Sequence, residues 1–348
     1  MMVPPMISNE KDRLASLHAL RILDTPIEDR FERITRLARR LLSVPIAAIS
    51  LLDEQRQWFK AVEGLLCSQT SRDVSFCGHT IHAGEMLVVN DARLDERFAD
   101  NPLVTGEPSI VFYAGQPVRA ADGQILGTIC VIDRKPRRLS NEDQQILRDL
   151  GGLAASELNG TAPAGAQSDL VAQLDAPHRL DLIDPLTRVW NERGLSELLR
   201  RSWNAAQQAP HGLALLRINI NGFARINQQH CRATGDAALC HLTKRMLSAI
   251  RGEDTLGRLG ADQFLAILSH FAGENNLANV PDRIMTRVQE APMTTRTTSV
   301  SATVSIGAAM WPHTDANDVE DLLQLAEADL SRANQQNSDV IMPTHAAA

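Results

Sequence analysis

Apolar residues along this chain recur in two rhythms. Leu14, Leu17, Leu20 and Leu23 fall at helical spacing, and Thr25-Pro26 stops that pattern, because proline cannot continue a helix. Over residues 28–42 the helical rhythm restarts, with Phe31, Ile34, Leu37, Ala38 and Leu41 on one face. Residues 46–52 are a compact apolar run that reads as a strand. Residues 57–62 read as its partner across Asp53-Glu54-Gln55-Arg56. Residues 87–89 form a further short strand. Residues 110–118 and 125–132 pair around Ala121-Asp122-Gly123, a turn signal. Ser140-Asn141-Glu142-Asp143 caps a helix through residue 158. The order predicts an α+β sandwich over 10–158, an antiparallel sheet with helices to one side.

Residues 159–167, NGTAPAGAQ, have linker composition. Short helical patterns follow at 168–174 and 178–183. Gly160, Pro163 and Pro177 interrupt what would otherwise be one continuous helix, so 159–180 reads as a linker. A second domain, 181–343, then alternates element types. Helices are predicted at 192–208, 223–229, 236–250, 282–290 and 319–334. Strands are predicted at 213–220, 263–268, 298–310 and 340–342. This is an α/β domain with a central mixed sheet. Between the third of its helical patterns and the strand at 263 lies RGEDTLGRLGADQF, Arg251 to Phe264. Its Gly260-Ala261-Asp262-Gln263 reads as a hairpin turn that presents an acid on a rigid support.

A chain of 348 residues predicts two domains. The net charge of −7 argues against a protein that holds nucleic acid by bulk electrostatics. The five cysteines, Cys67, Cys77, Cys130, Cys231 and Cys240, form no CxxC pair, which fits a reducing compartment. There is no signal-peptide pattern and no run near the ~20 apolar residues of a membrane span. The expectation is a cytoplasmic protein with no membrane partner. Cys77, His79 and His82 could offer soft metal ligands, or they could pack and bond locally on a short helix. Trp58 and Tyr113 could line a pocket or fill the core.

RILDTPIEDRFERITRLARRLLSVPIAAISLLDEQRQWFKA, then SFCGHTI, then GTICVID, resemble a GAF domain over nearly all of 10–158. That resemblance implies a sensing and dimerising module, a small ligand between sheet and helices, and a homodimer. The second domain resembles the GGDEF domain of diguanylate cyclases throughout. DPLTRVWNERG at 184–194 matches the opening, RININGFARIN at 217–227 the first strand, INQQHCRATGD the guanine-holding pair Asn227 and Asp236, and GADQF at 260–264 the signature.

Joining two GTP molecules needs Mg²⁺ on carboxylates and cations on the phosphates. The family's first metal aspartate is Asn219 here, and its fourth-position glutamate is Gln263. Ala261 replaces the second glycine, leaving Gly260, Asp262 and Phe264 of the signature. Asn334 and Ser338 stand where the family has a phosphate-binding Lys and Arg. Two anionic and two cationic groups are thus neutral together. That pattern implies a degenerate, catalytically inactive domain with no cofactor, Mg²⁺ entering only if some turnover remains. Upstream, Arg251-Gly-Glu-Asp254 keeps the register of the family's RxxD site for cyclic di-GMP, and Arg283 aligns with a second arginine of that site. Arginine forks match the guanine edge, and an aspartate can accept from its N1–H and amino group.

The implied function is a bacterial cyclic di-GMP receptor of the GAF–GGDEF type. Alternatives are a weak diguanylate cyclase, binding of GTP or GDP without turnover, and a scaffold for a protein partner.

Overall fold

A computed structural model of the chain describes residues 1–160, 166–208, 212–271, 274–290, 292–294, 299–335 and 340–341. It divides into two compact units, Met1–Ala162 and Pro163–Ala348.

The first unit contains helices α1 (Glu10–Ala19) and α2 (Asp29–Leu41), strands β1 (Ile46–Leu52), β2 (Arg56–Glu63) and β3 (Gln69–Ser71), helix α3 (Phe76–Ala83), strand β4 (Leu87–Val89), the short helix α4 (Pro102–Thr105), strands β5 (Phe112–Arg119) and β6 (Ile125–Asp133), and helix α5 (Asn141–Asn159). The six strands form one antiparallel sheet in the order β3-β2-β1-β6-β5-β4. Ser140 caps α5 in a reciprocal capping box with Asp143.

Both faces of this sheet are covered, which corrects the expectation of helices to one side. Ala47, Ile49 and Leu51 of β1 join α2 and α5 in one core. Ile46, Ala48 and Leu52 join Phe76, Ile81 and Phe98 in the other. Double burial is why 46–52 is a continuous apolar run rather than an alternation. Trp58 fills the first core and Tyr113 the second, so both are packing residues.

The second unit begins earlier than residue 181. Helices α6 (Ala166–Gln173) and α7 (Ala176–Leu180) precede α8 (Glu192–Gln208). Leu170 of α6 is buried in one cluster with Trp190, Leu195, Leu198 and Leu199. The stretch 166–180, expected as part of a linker, therefore folds onto the second unit, because Leu170 is buried there with Val171 and Leu174 packed beside it.

The remaining elements are β7 (Gly212–Ile220), α9 (Phe223–His230), α10 (Arg232–Ser248), β8 (Thr255–Arg258), β9 (Gln263–Phe271), α11 (Glu274–Gln289), the small pair β10 (Met293–Thr294) and β11 (Ser299–Val300), β12 (Val304–Trp311), α12 (Val319–Gln335) and β13 (Val340–Ile341). The sheet order is β13-β12-β7-β9-β8. Among the described strand pairs of this sheet, β12–β13 alone is parallel, so the sheet is mixed. The strand expected over 298–310 is split, with β11 pairing to β10 instead. Helix α10 starts four residues before its expected start at 236, because Cys231 adopts φ +73° and turns the chain directly from α9 into α10. Among the described residues, no helix is long and apolar enough to cross a membrane.

Helix α12 lies against β12 at Gly307, where an added Cβ would sit 2.1 Å from the Leu330 nitrogen and 2.3 Å from the Ala326 oxygen. Both are backbone atoms and cannot rotate away. Gly307→Ala is expected to destabilise the second unit by about 1–3 kcal/mol through overpacking. Urea unfolding followed by tryptophan emission checks this, since three of the four tryptophans (Trp190, Trp203, Trp311) lie in that unit. An unchanged midpoint would contradict the close approach.

Candidate functional site

The hairpin β8–β9 pairs Arg258 with Phe264 and turns through residues 259–263. The Leu259 and Gly260 N–H groups donate to the Gln263 carbonyl. The turn is held from outside by Arg258. Its Nε donates to the Gly260 carbonyl at 2.8 Å and its Nη2 to the Ala261 carbonyl at 2.8 Å. Its Nη1 reaches both Asp184 oxygens at 3.2 and 3.3 Å. Asp184 Oδ1 also accepts from the Thr187 N–H and hydroxyl. One guanidinium thus locks the DPLT segment to the GADQF turn. Arg258 was not singled out from sequence. The signal for it is an arginine two residues before Gly260 together with an aspartate opening the DPLT segment.

Strand β9 runs antiparallel to β7 in a register that sets Gln263 directly opposite Asn219. The Ile220 N–H donates to the Asp262 carbonyl at 3.0 Å, which fixes the turn to β7. The structure therefore brings the two neutral replacements together as a cross-strand pair. Two carboxylates at such positions repel unless a cation sits between them. Two amides carry no such demand. Mg²⁺ needs hard oxygen ligands with compensating negative charge, and the Asn219–Gln263 pair supplies none. Asp262, half-buried in the turn, is the single acid of the signature. Of the signature and its cross-strand partner, Asp262 is thus the one carboxylate that could meet a cation.

Other positions bear on the same pocket. Asn221, beside Asn219, is engaged with β12 and the residue before it, donating to Thr303 Oγ1 and accepting from Ser305 Oγ. Asn334 lies exposed on α12, and Ser338 lies outside the described residues. Asn227 on α9 packs on Gly235, where a Cβ would fall 1.8 Å from Asn227 Oδ1, so it lies beside Asp236 on α10. Asn227 Oδ1 is buried with no protein hydrogen-bond partner among the described residues. It is an acceptor left open next to a carboxylate, an arrangement suited to a group that donates twice.

Nine residues upstream of Gly260, Arg251 follows the C-terminal end of α10. Its side chain is 54% exposed, with Glu253 only at 3.9 Å. Arg283 on α11, also exposed, donates from Nε to the Ala249 carbonyl. Arg283 is therefore anchored to the backbone two residues before Arg251. Asp254 does not join them at the surface. It is 5% exposed, and its Oδ2 accepts the Arg251 N–H at 2.9 Å while its Oδ1 accepts the Ser269 N–H at 3.3 Å. The expectation that Asp254 faces a base is corrected here: its carboxylate turns inward and holds the loop. Burial pushes that carboxyl up to about 6, against the two N–H donors that favour the anion. The loop also reaches the α6 segment. Gln167 Nε2 donates to the Asp254 carbonyl at 2.8 Å, and Gln167 Oε1 accepts from Trp190 Nε1 at 2.8 Å.

In the first unit, Cys77, His79 and His82 do not converge. Cys77 points into the core. His79 bonds the Met2 carbonyl at 3.1 Å and meets the edge of Phe98, and burial pushes its pKa down. His82 lies exposed at the rim of a cavity of about 540 Å³, with Asn9, Arg119 and Gln124 on its wall. Among the described residues, no cluster of three or more His, Cys, Asp or Glu could hold a metal.

Residues 26–158 match the family model described as "GAF domain", and residues 181–339 match the one described as "Diguanylate cyclase, GGDEF domain". The chain joins a GAF domain to a GGDEF domain. A cyclic di-GMP phosphodiesterase of Pseudomonas aeruginosa is 40% identical over 195 residues, which cover 54% of this chain and 33% of that protein. A diguanylate cyclase of Escherichia coli is 25% identical over 181 residues, 52% of each chain. The solved GGDEF domain of a further P. aeruginosa protein is 29% identical, covers 43% of this chain and 92% of that one, and superposes with a TM-score of 0.41. The chain spans about a third to a half of the length of the curated relatives it matches.

Within the GGDEF domain, the buried Asp254 makes a pH-dependent contribution. Its native carboxyl keeps its proton to higher pH than an unfolded aspartate, whose value lies near 4. The stability it confers is therefore largest below about pH 4 and is lost as pH rises through about 6. In Asp254→Asn that loss is expected to vanish. Thermal midpoints of the two proteins from pH 4 to 7 check this, and parallel curves would contradict it.

Proposed function

We propose that this chain is a cyclic di-GMP receptor whose GGDEF domain binds the dinucleotide without making it, joined to a GAF domain that senses and dimerises. The observation that carries this reading is that Arg283, exposed on α11, fastens to the Ala249 carbonyl, two residues before the exposed Arg251. A cyclic dinucleotide offers two purine faces and two guanine edges. Guanidinium groups stack on such faces and donate bidentately to O6 and N7. Asp254 has a different part from the one its spacing implied. It keeps the Arg251 backbone in place and leaves base recognition to the arginines.

Synthesis is disfavoured by the neutral Asn219–Gln263 pair. Arg258 still braces the signature turn, so the turn persists as a scaffold with Asp262 as its single acid. Gln167 gives the receptor an outlet. It ties the arginine-bearing loop to α6, the helix that follows the linker from the GAF domain, so a ligand that shifts the loop also shifts the population of α6 positions. On the GAF side, exposed Leu37 and Leu41 of α2 and Leu153 of α5 lie on two helices that pack together, and they support a homodimer.

A second reading rests on Asn227. Its open acceptor beside Asp236 supports binding of a guanine base, and hence GTP or GDP, without turnover.

Calorimetric titration of the full chain with cyclic di-GMP tests the first reading. Binding is expected, weakened about tenfold or more in Arg251→Ala and in Arg283→Ala through loss of charge-assisted hydrogen bonds. Absence of heat, or heat unchanged in Arg251→Ala, would overturn it. Heat from GTP that survives Arg251→Ala and disappears in Asn227→Ala would support the second.

A further inference from the structure

The GAF domain has a polar knot inside an apolar core. Cys77 of α3 and Cys130 of β6 face each other with Sγ to Sγ at 3.8 Å. Both residues are 1% exposed, among Ile46, Phe76, Ile81 and Phe98. The Tyr113 hydroxyl donates to Cys77 Sγ at 3.4 Å and shares a hydrogen with Thr80 Oγ1 at 2.8 Å. Ser50 and Thr128, themselves 3.2 Å apart, complete the ring of hydroxyls. Polar groups in such a place cost stability unless they are satisfied. An all-apolar filling would do for packing alone.

We propose that Cys77 and Cys130 are a modification site, a dithiol that a peroxide-class oxidant converts reversibly to a disulfide linking α3 to β6. A disulfide needs ~2.05 Å between sulfurs, so from 3.8 Å each sulfur moves by less than about 1 Å. Such a shift lies within a side-chain rotation. The surroundings also divide the labour. Burial raises the Cys77 thiol, but hydrogen bonds from Cys130, Ser50, Thr128 and Tyr113 outweigh it and bring Cys77 down to about 6. Cys130 is pushed upward by its bond to Cys77 and by burial. Cys77 is the nucleophile and Cys130 the resolving thiol.

The chemistry balances. The Cys77 thiolate attacks one peroxide oxygen, an S–O bond forms, the O–O bond breaks, and hydroxide leaves. Cys77 is then a sulfenic acid, oxidised by two electrons as the peroxide is reduced. Cys130 attacks that sulfur, an S–S bond forms, the S–O bond breaks, and hydroxide leaves with the Cys130 proton as water. The first hydroxide takes a proton from solvent, so two thiols and one peroxide give one disulfide and two waters. Burial selects the oxidant: peroxide is about the size of water, whereas a disulfide such as oxidised glutathione is too large to reach sulfurs this covered. The link would pin α3 to the sheet on the face where Tyr113 and Phe76 pack, and so fix one wall of the GAF core.

The test treats the full chain with hydrogen peroxide, then digests it without reduction for mass spectrometry. The expected result is a peptide pair joined at Cys77 and Cys130, lighter by about 2 Da than the two free thiols and restored by dithiothreitol. Oxidised glutathione is expected not to form it. A Cys130→Ser variant is expected to stop at a Cys77 sulfenic acid, which dimedone traps when the protein is unfolded in its presence after peroxide treatment. Free thiols at Cys77 and Cys130 after the exposed Cys67 and Cys231 have been oxidised would overturn the proposal, as would unlinked sulfinic acid at Cys77 in the wild-type chain. The mapping of the wild-type chain decides the matter even if the variant does not fold.

Discussion

Asn219 and Gln263 face each other across the β7–β9 ladder, and the charge of that pair constrains everything the GGDEF domain can do. Backbone hydrogen bonding fixes the register, so the two side chains lie together whatever their chemistry. As amides they need no cation, and the hairpin closes on its own bonds. Arg258 then completes the turn from the other side by bridging Asp184 to the Gly260 and Ala261 carbonyls. The hairpin keeps its shape while the charge at its signature is reduced to Asp262. Shape and chemistry separate here because the backbone determines the first and two side chains the second.

The loop upstream obeys a different balance. A buried carboxylate is expensive, and the two N–H donors to Asp254 together with the Arg251 charge only partly offset its desolvation. What it gains is a rigid connection from α10 into β8. That rigidity presents Arg251, and Arg283 fastens to the same corner through the Ala249 carbonyl. Within the second unit, Gln167 ties this corner to α6 and to Trp190. The proposed binding site, the connector helix and Trp190 of the DPLTRVWN segment therefore share one hydrogen-bonded unit.

Much of this was legible in the residues. Periodicity located strands 46–52 and 87–89 and helix 192–208 to the residue, because long or well-bounded apolar patterns leave little choice. The resemblance to the GGDEF family brought Asn219, Gln263 and GADQF into one account, and the register sets the two replacements opposite each other. Other features were hidden for physical reasons. The helical pattern at 168–174 could be read locally, but not its docking: that Leu170 of α6 is buried with Trp190 and Leu195 is set by the packing of the second unit. The start of α10 depends on a positive φ at Cys231, a residue type that does not signal it. The inward turn of Asp254 depends on Ser269, fifteen residues on, a contact no local pattern encodes. The Cys77–Cys130 contact spans α3 and β6 and is set by how helix and sheet pack.

The central claim is that this GGDEF domain handles a nucleotide without synthesising it. Incubation of the full chain with GTP and Mg²⁺ or Mn²⁺, followed by chromatography for cyclic di-GMP, tests it most directly. The neutral Asn219–Gln263 pair predicts no product above a protein-free control. Cyclic di-GMP that accumulates with the wild-type chain and disappears in Asp262→Ala would contradict it.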